Sequence, residues 1–243
     1  MLQHLAAKFY EPFHLSGYLT DGYQTLHLHL ANDAWRGAVQ AAWSIDVWTW
    51  SGKQIKRGWC PQDSGCRVLL PSSSGAALFS IPVQQLLKMI PGSLCKESAK
   101  CVVVASASGQ DAGGSSFRSS AFVPLGSGTL RDAPLSTSAV VNVTVNSADR
   151  SVTVVSDALV PYAFLRLKPP VAVALGTTDK KTVWGDGVGR FSDNAMLLLP
   201  QEPVQVQLLG LLGEAATISP EELRLRLTVD CPNRVGGCCP ACA

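Results

Sequence analysis

Few residues in this 243-residue sequence have the types and spacing that chemistry needs. His27 and His29 sit two apart in TLHLHLAND, so on a strand they share one face and could grip a metal. A metal site needs a third ligand, and the other histidines, His4 and His14, are distant in sequence, so a surface pair is the default reading. Trp48 and Trp50 also share a face. Such a pair can stack on a sugar ring or fill a core. In WGDGVGR the glycines 185, 187 and 189 alternate, which is not the spacing of a dinucleotide loop, and a strand-like segment follows where a helix is required. Arg190 and Asp193 lie in GRFSDNAMLLLP and pose a choice between a piece of an active site and the approach to a buried strand. Hydrolysis needs a nucleophile with a base, or two carboxylates across a cleft. The sequence has no G-x-S-x-G elbow, and Glu221-Glu222, beside Pro220, reads as the solvated start of a strand.

The cysteines number eight. Cys60/Cys66, Cys95/Cys101 and the tail group Cys231, Cys238, Cys239 and Cys242 are short-loop disulfide candidates, a usage that belongs to oxidising compartments. The tail also holds one C-x-x-C, Cys239 to Cys242, but a structural zinc site usually pairs two such clusters. Disulfides or a thiol-rich end are the alternatives. Asn142-Val143-Thr144 is a glycosylation sequon. The N-terminal MLQHLAAKFYEPF lacks a basic flank, and Lys8 and Glu11 interrupt its apolar run, so it does not read as a signal peptide. Oxidising features without a leader lead us to expect a longer parent chain.

The elements that must position these residues are mostly strands. Hydrophobic residues make up 47% and charged residues 16%, enough apolar content for a core, and the net charge of +2 gives no electrostatic case for nucleic acid or an anionic membrane. No segment approaches the ~20 apolar residues of a membrane span. Leu2, Leu5, Ala6 and Phe9 have helical spacing and Pro12 stops it. Leu26, Leu28 and Leu30 alternate with Thr25, His27 and His29. Trp43, Ile45, Val47 and Thr49 alternate with Ser44, Asp46, Trp48 and Trp50. CRVLLP, CVVVASAS and FRSSAFVP continue the strands, and Val83, Leu86, Leu87 and Ile90 predict one short helix between Pro82 and Pro91-Gly92. GSGTLRDAPLSTS reads as a linker. AVVNVTVN, RSVTVVSD, PYAFLRLKPP, NAMLLLP, PVQVQLLG and LRLRLTVD then predict six strands of an antiparallel sandwich. In the last of these Leu223, Leu225, Leu227 and Val229 are expected as the buried row, with Arg224, Arg226 and Thr228 outside. Asn142 is expected on a solvent face with Thr144 and Asn146.

Together these segments resemble the C-terminal region of beta-mannosidases of glycoside hydrolase family 2. MLQHLAAKFYEPFHLSG, with Phe9, Tyr10 and Pro12, resembles the junction after the catalytic barrel. WSIDVWTWSG and LCKESAKCVVVASAS resemble strands of the first C-terminal domain, the latter with the Cys95/Cys101 pair. LVPYAFLRLKPP and GRFSDNAMLLLP resemble the last domain, where Gly189, Phe191, Ser192, Asp193, Asn194 and Leu198 match its pattern and Met196 replaces an aromatic. Residues 171–184 and the Cys-rich tail fall outside the pattern.

The resemblance implies an all-β fold of two immunoglobulin-like antiparallel β-sandwiches, with a short N-terminal helix and one short helix in the first domain. The expected division is a barrel-helix remnant at 1–12, a first sandwich at 13–125, a linker at 126–138, a second sandwich at 139–230 and a Cys-rich tail at 231–243. It implies a parent that hydrolyses terminal β-mannose with retention, through glutamates on a barrel of ~250 residues that this sequence does not carry. No catalytic residue, cofactor or metal ligand transfers to this chain. Ser192-Asp193-Asn194 then reads as a turn whose short side chains bond the backbone. The implied partner is the barrel, with Trp48, Trp50 or Arg190 as contacts, in a lysosomal, vacuolar or secreted parent. The alternatives are a freestanding sandwich that binds β-mannosyl glycans through Trp48 and Trp50, and a structural or adhesion protein cross-linked by its tail.

Overall fold

The computed structural model describes residues 11–33, 37–62, 65–90, 95, 98–111, 113–126, 135–146, 148–149, 151–167, 188–193, 195–212 and 219–231. The expected N-terminal helix, most of the linker, the segment 171–184 and most of the tail lie outside these residues. The chain divides into two compact units, Leu2–Pro134 and Leu135–Ala243.

In the first unit, β1 (Phe13–Thr20), β2 (Thr25–Asn32) and β6 (Ser74–Pro82) form one antiparallel sheet in the order β1-β2-β6. The second sheet runs β4-β3-β7-β8, from β3 (Val39–Thr49), β4 (Gln54–Trp59), β7 (Cys101–Asp111) and β8 (Ser116–Pro124). The short β5 (Arg67–Leu70) pairs with the first part of β3, while β4 pairs with its second part. Alternation decides which side chains go inside: Leu26, Leu28 and Leu30 are buried while Thr25, His27 and His29 stay half-buried. They meet Val39, Ala41, Trp43, Ile45 and Val47 of β3 and Val103 and Ala105 of β7 in one core. Each such side chain removed from water contributes roughly 1.5–3 kcal/mol. The predicted helix is α1 (Val83–Met89), which buries Val83 and Leu86.

Polar groups fasten this unit where apolar contact cannot. Asn32 is fully buried at the end of β2, and its amide nitrogen reaches the carbonyls of Gly37, Leu70 and Pro71 at 3.1, 3.2 and 3.0 Å. The backbone N–H of Leu15 in β1 donates to the Ser119 hydroxyl in β8 at 2.9 Å, tying one sheet to the other. Gly17 has no room for a side chain, since a Cβ there would lie 2.5 Å from Val123 Cγ2 and 3.1 Å from Leu28 Cδ2.

The second unit is also two antiparallel sheets. One is β12-β14-β10-β9, from β9 (Val141–Val145), β10 (Ser151–Ser156), β12 (Val188–Phe191) and β14 (Val204–Leu212). The other is β13-β11-β15, from β11 (Val160–Leu167), β13 (Met196–Leu198) and β15 (Leu227–Asp230). Val141, Val152, Val154, Leu165, Met196 and Leu198 are among the residues of their shared core. Both units are all-β sandwiches of the expected immunoglobulin-like class.

The last predicted strand needs correction. Pro220–Arg226 is a helix, α2, and the strand β15 begins only at Leu227. Leu223 is buried, Leu225 is 77% exposed and Arg226 is 8% exposed, so the expected buried row and outer row are broken at two places. Ser219 caps the helix, Pro220 opens it, Glu221 and Glu222 occupy its first turn and Arg224 and Arg226 its last. That order satisfies a free N–H and matches the helix dipole at both ends.

Candidate functional site

The sequence singles out Trp48 and Trp50 as a contact face, and the structure buries both, at 4% and 2% exposure. The alternation on β3 holds as far as Val47. Beyond it both faces of the strand are covered, and Val102 and Val104, on the same side of β7, are buried too. Neither indole is open to a sugar ring or to a barrel. The Trp48 Nε1 donor and the Nε2 donor of Gln54, its cross-strand partner, have no hydrogen-bond acceptor among the described residues. Arg190 lies on β12 opposite Gly210 at a bulge, and its side chain is outside the description.

His27 and His29 are held by neighbours and not poised around an ion. The His27 ring stacks on Tyr18 with centroids 5.2 Å apart, and its Nε2 is 2.8 Å from the Thr20 hydroxyl. The His29 ring lies over Gly75, where a Cβ would come within 2.5 Å of its Cε1. Among the described residues no three His, Cys, Asp or Glu side chains gather as a metal site would require. Sequence reading passed over the exposed Tyr18 and Tyr23, at 49% and 53%, which sit on and beside this face.

The cysteine pairs are disulfides: Cys60–Cys66, with Cα atoms 5.6 Å apart, and Cys95–Cys101, at 5.7 Å. The first joins the end of β4 to the approach of β5, so it closes the gap between the two short strands that share one edge of β3. Cys231 is also disulfide-bonded. Asn142 is exposed on β9, the terminal strand of its sheet, with its side chain on the solvent side.

The segment FSDN carries the chain from one sheet of the second unit to the other. Phe191 ends β12 and is buried. The Ser192 N–H donates to the Gln207 carbonyl and its hydroxyl accepts from the Gln207 N–H, each at 2.8 Å. Ala195 then takes a positive φ of 61° before Met196 opens β13. Ser192 thus bonds the backbone at a turn. Glu222 is paired with Arg226 at 2.7 Å, four residues on. Two titrating groups are shifted by their surroundings. The Ser151 N–H, with the Ser151 side chain, holds the Asp149 carboxyl below its ordinary value, and burial pushes the Tyr162 hydroxyl up.

Residues 130–233 match the Ig_mannosidase family model, an Ig-fold domain. The match makes this segment an Ig-like domain. The chain also superposes on two structures of the Amycolatopsis orientalis exo-chitosanase CsxA, both variants in complex with PNP-beta-D-glucosamine. Each match has a TM-score of 0.50, at 14% and 13% identity, and covers 96% of this chain. At that identity the likeness is one of fold. The chain spans 27% of the length of those proteins. A search of curated protein sequences returned no match.

Proposed function

We propose that this chain is the accessory β-sandwich region of a family 2 glycoside hydrolase acting on terminal β-mannosides, inert alone and packed in the whole protein against a catalytic barrel. The observation that carries the reading is the mannosidase-type Ig-fold match over residues 130–233. The short span of this chain against exo-chitosanase supports it, because it leaves room for a catalytic domain in a longer protein. Retaining hydrolysis needs two carboxyl groups about 5–5.5 Å apart. The adjacent pair singled out in the sequence serves structure instead, since Glu221 and Glu222 form the first turn of α2. Burial of Trp48 and Trp50 counts against a freestanding sandwich that binds β-mannosyl glycans through these two indoles.

The test is immunoprecipitation from source cells with an antibody to residues 139–229, followed by a blot and an assay with p-nitrophenyl-β-mannoside. A band far above 25.7 kDa that brings down β-mannosidase activity supports the proposal. A product of 25.7 kDa without activity overturns it.

A further inference from the structure

The outer face of the β4-β3-β7-β8 sheet changes character along its length. At the Trp48–Val102 end it is buried, and at the Gln40–Gln110 end it is open. The open end carries a groove of about 530 Å³. That lies within the roughly 300–1,000 Å³ typical of small-molecule sites.

One register row defines the groove. Arg67 on β5 lies opposite Ala42 on β3, Ala42 opposite Ser108 on β7, and Ser108 opposite Arg118 on β8. Residues directly opposite one another in a sheet point to the same side. The row is therefore a floor of two small side chains between two arginine walls, whose Cα atoms stand about 14 Å apart, three strand spacings. The next row places Gln40 opposite Gln110. Both arginines and both glutamines are exposed. Neither arginine has an acidic partner among the described residues. The carboxylate that lines the groove, Asp111, is engaged by the Ser115 N–H at 2.8 Å.

We propose that this groove binds an acidic oligosaccharide, carboxylated or sulfated. A guanidinium presents a planar fork that matches carboxylate and sulfate oxygens, and two of them at opposite rims suit a ligand with acidic groups on separate rings. Side-chain amides both donate and accept, as sugar hydroxyls require. The shallow Ala42–Ser108 floor leaves space for a ring above it. An acidic peptide fits less well, because the floor strands β3 and β7 are paired on both sides, so an added strand could dock only at the outer edges of β5 and β8, beyond the arginine walls. The site stands on these residues alone, whether or not the hydrolase reading holds.

The experiment is calorimetric titration of the whole chain with trigalacturonate and with a chondroitin sulfate tetrasaccharide, using maltotriose, tri-glutamate and inorganic sulfate as comparators. Binding of either acidic saccharide below about 1 mM is expected, with maltotriose not binding. Arg67→Ala and Arg118→Ala should each weaken it about tenfold, as loss of a charge-assisted contact does. Both positions are exposed, so thermal melts of the variants should match the parent chain. The proposal is overturned if neither acidic saccharide binds, if the double variant binds as well as the parent, if tri-glutamate binds as tightly, or if sulfate alone competes equally.

Discussion

The Ser219 hydroxyl accepts a hydrogen bond from the backbone N–H of Glu222 at 3.1 Å, and this contact starts a helix in a stretch whose leucines alternate like a strand. Loss of the cap in Ser219→Ala should cost about 1 kcal/mol in urea unfolding. Leu223→Ala should cost roughly 2–5 kcal/mol, as in other cores. Leu225→Ser should stay within about 0.5 kcal/mol, because its side chain is in water. A strand would make the two leucines equivalent, so similar losses at both positions would contradict the helix.

Trp50 is a packing residue, and its removal should read as a stability change. Trp50→Ala should cost roughly 3–5 kcal/mol by chemical denaturation. A folded, equally stable variant would mean that the indole is not part of the core.

Each described disulfide closes a short loop. Replacing Cys60 and Cys66 together by serine should lower stability by about 2 kcal/mol on the loop-entropy account. The same change at Cys95 and Cys101 should cost a similar amount plus the loss of buried packing, since both of these sulfurs are in the core. Guanidinium melts of the two double variants, compared with the parent, measure the difference.

Tyr162 should ionise late in an alkaline titration followed by tyrosinate absorbance, because burial raises its pKa above the ordinary 10.0. For a group whose folded pKa is raised, stability is fully present below the unfolded pKa and is lost as pH rises through the folded one. Tyr162→Phe should remove the late phase and flatten the alkaline loss of stability. An unchanged late phase would reassign it.

Gly17→Ala tests the close approach of β1 to Val123. Overpacking there should cost roughly 1–3 kcal/mol. Combining it with Val123→Ala should recover part of the loss, and failure to do so would place the strain elsewhere.

The core was legible where clean alternation runs along a strand with one wetter face. Leu26, Leu28 and Leu30 announce β2 because water on the other face forces alternation. The strands β1, β4 and β6 went unread because each contains a glycine, at positions 17, 58 and 75, which weakens a strand pattern. Gly17 is there because the neighbouring chain leaves no space, a fact that belongs to the assembled fold. Alternation assigned Trp48 and Trp50 a common face but carried no information on what lies above it. The cap at Ser219 was readable, since Ser-Pro-Glu-Glu has the order of a helix start, but the Leu-Arg-Leu-Arg-Leu run outweighed it. The arginine row could not be seen at all, because Arg67, Ala42, Ser108 and Arg118 become neighbours only through register.

The opening residues of β7, Cys101 to Ala105, are at most 3% exposed, so this stretch has no wet face. Their amides are paired to β3 on one side and β8 on the other. Such a segment has no local route to solvent. In deuterated buffer its protons leave only when the whole unit opens, so these five residues act as the slow clock of the first sandwich, and their exchange rate reads out its global stability directly.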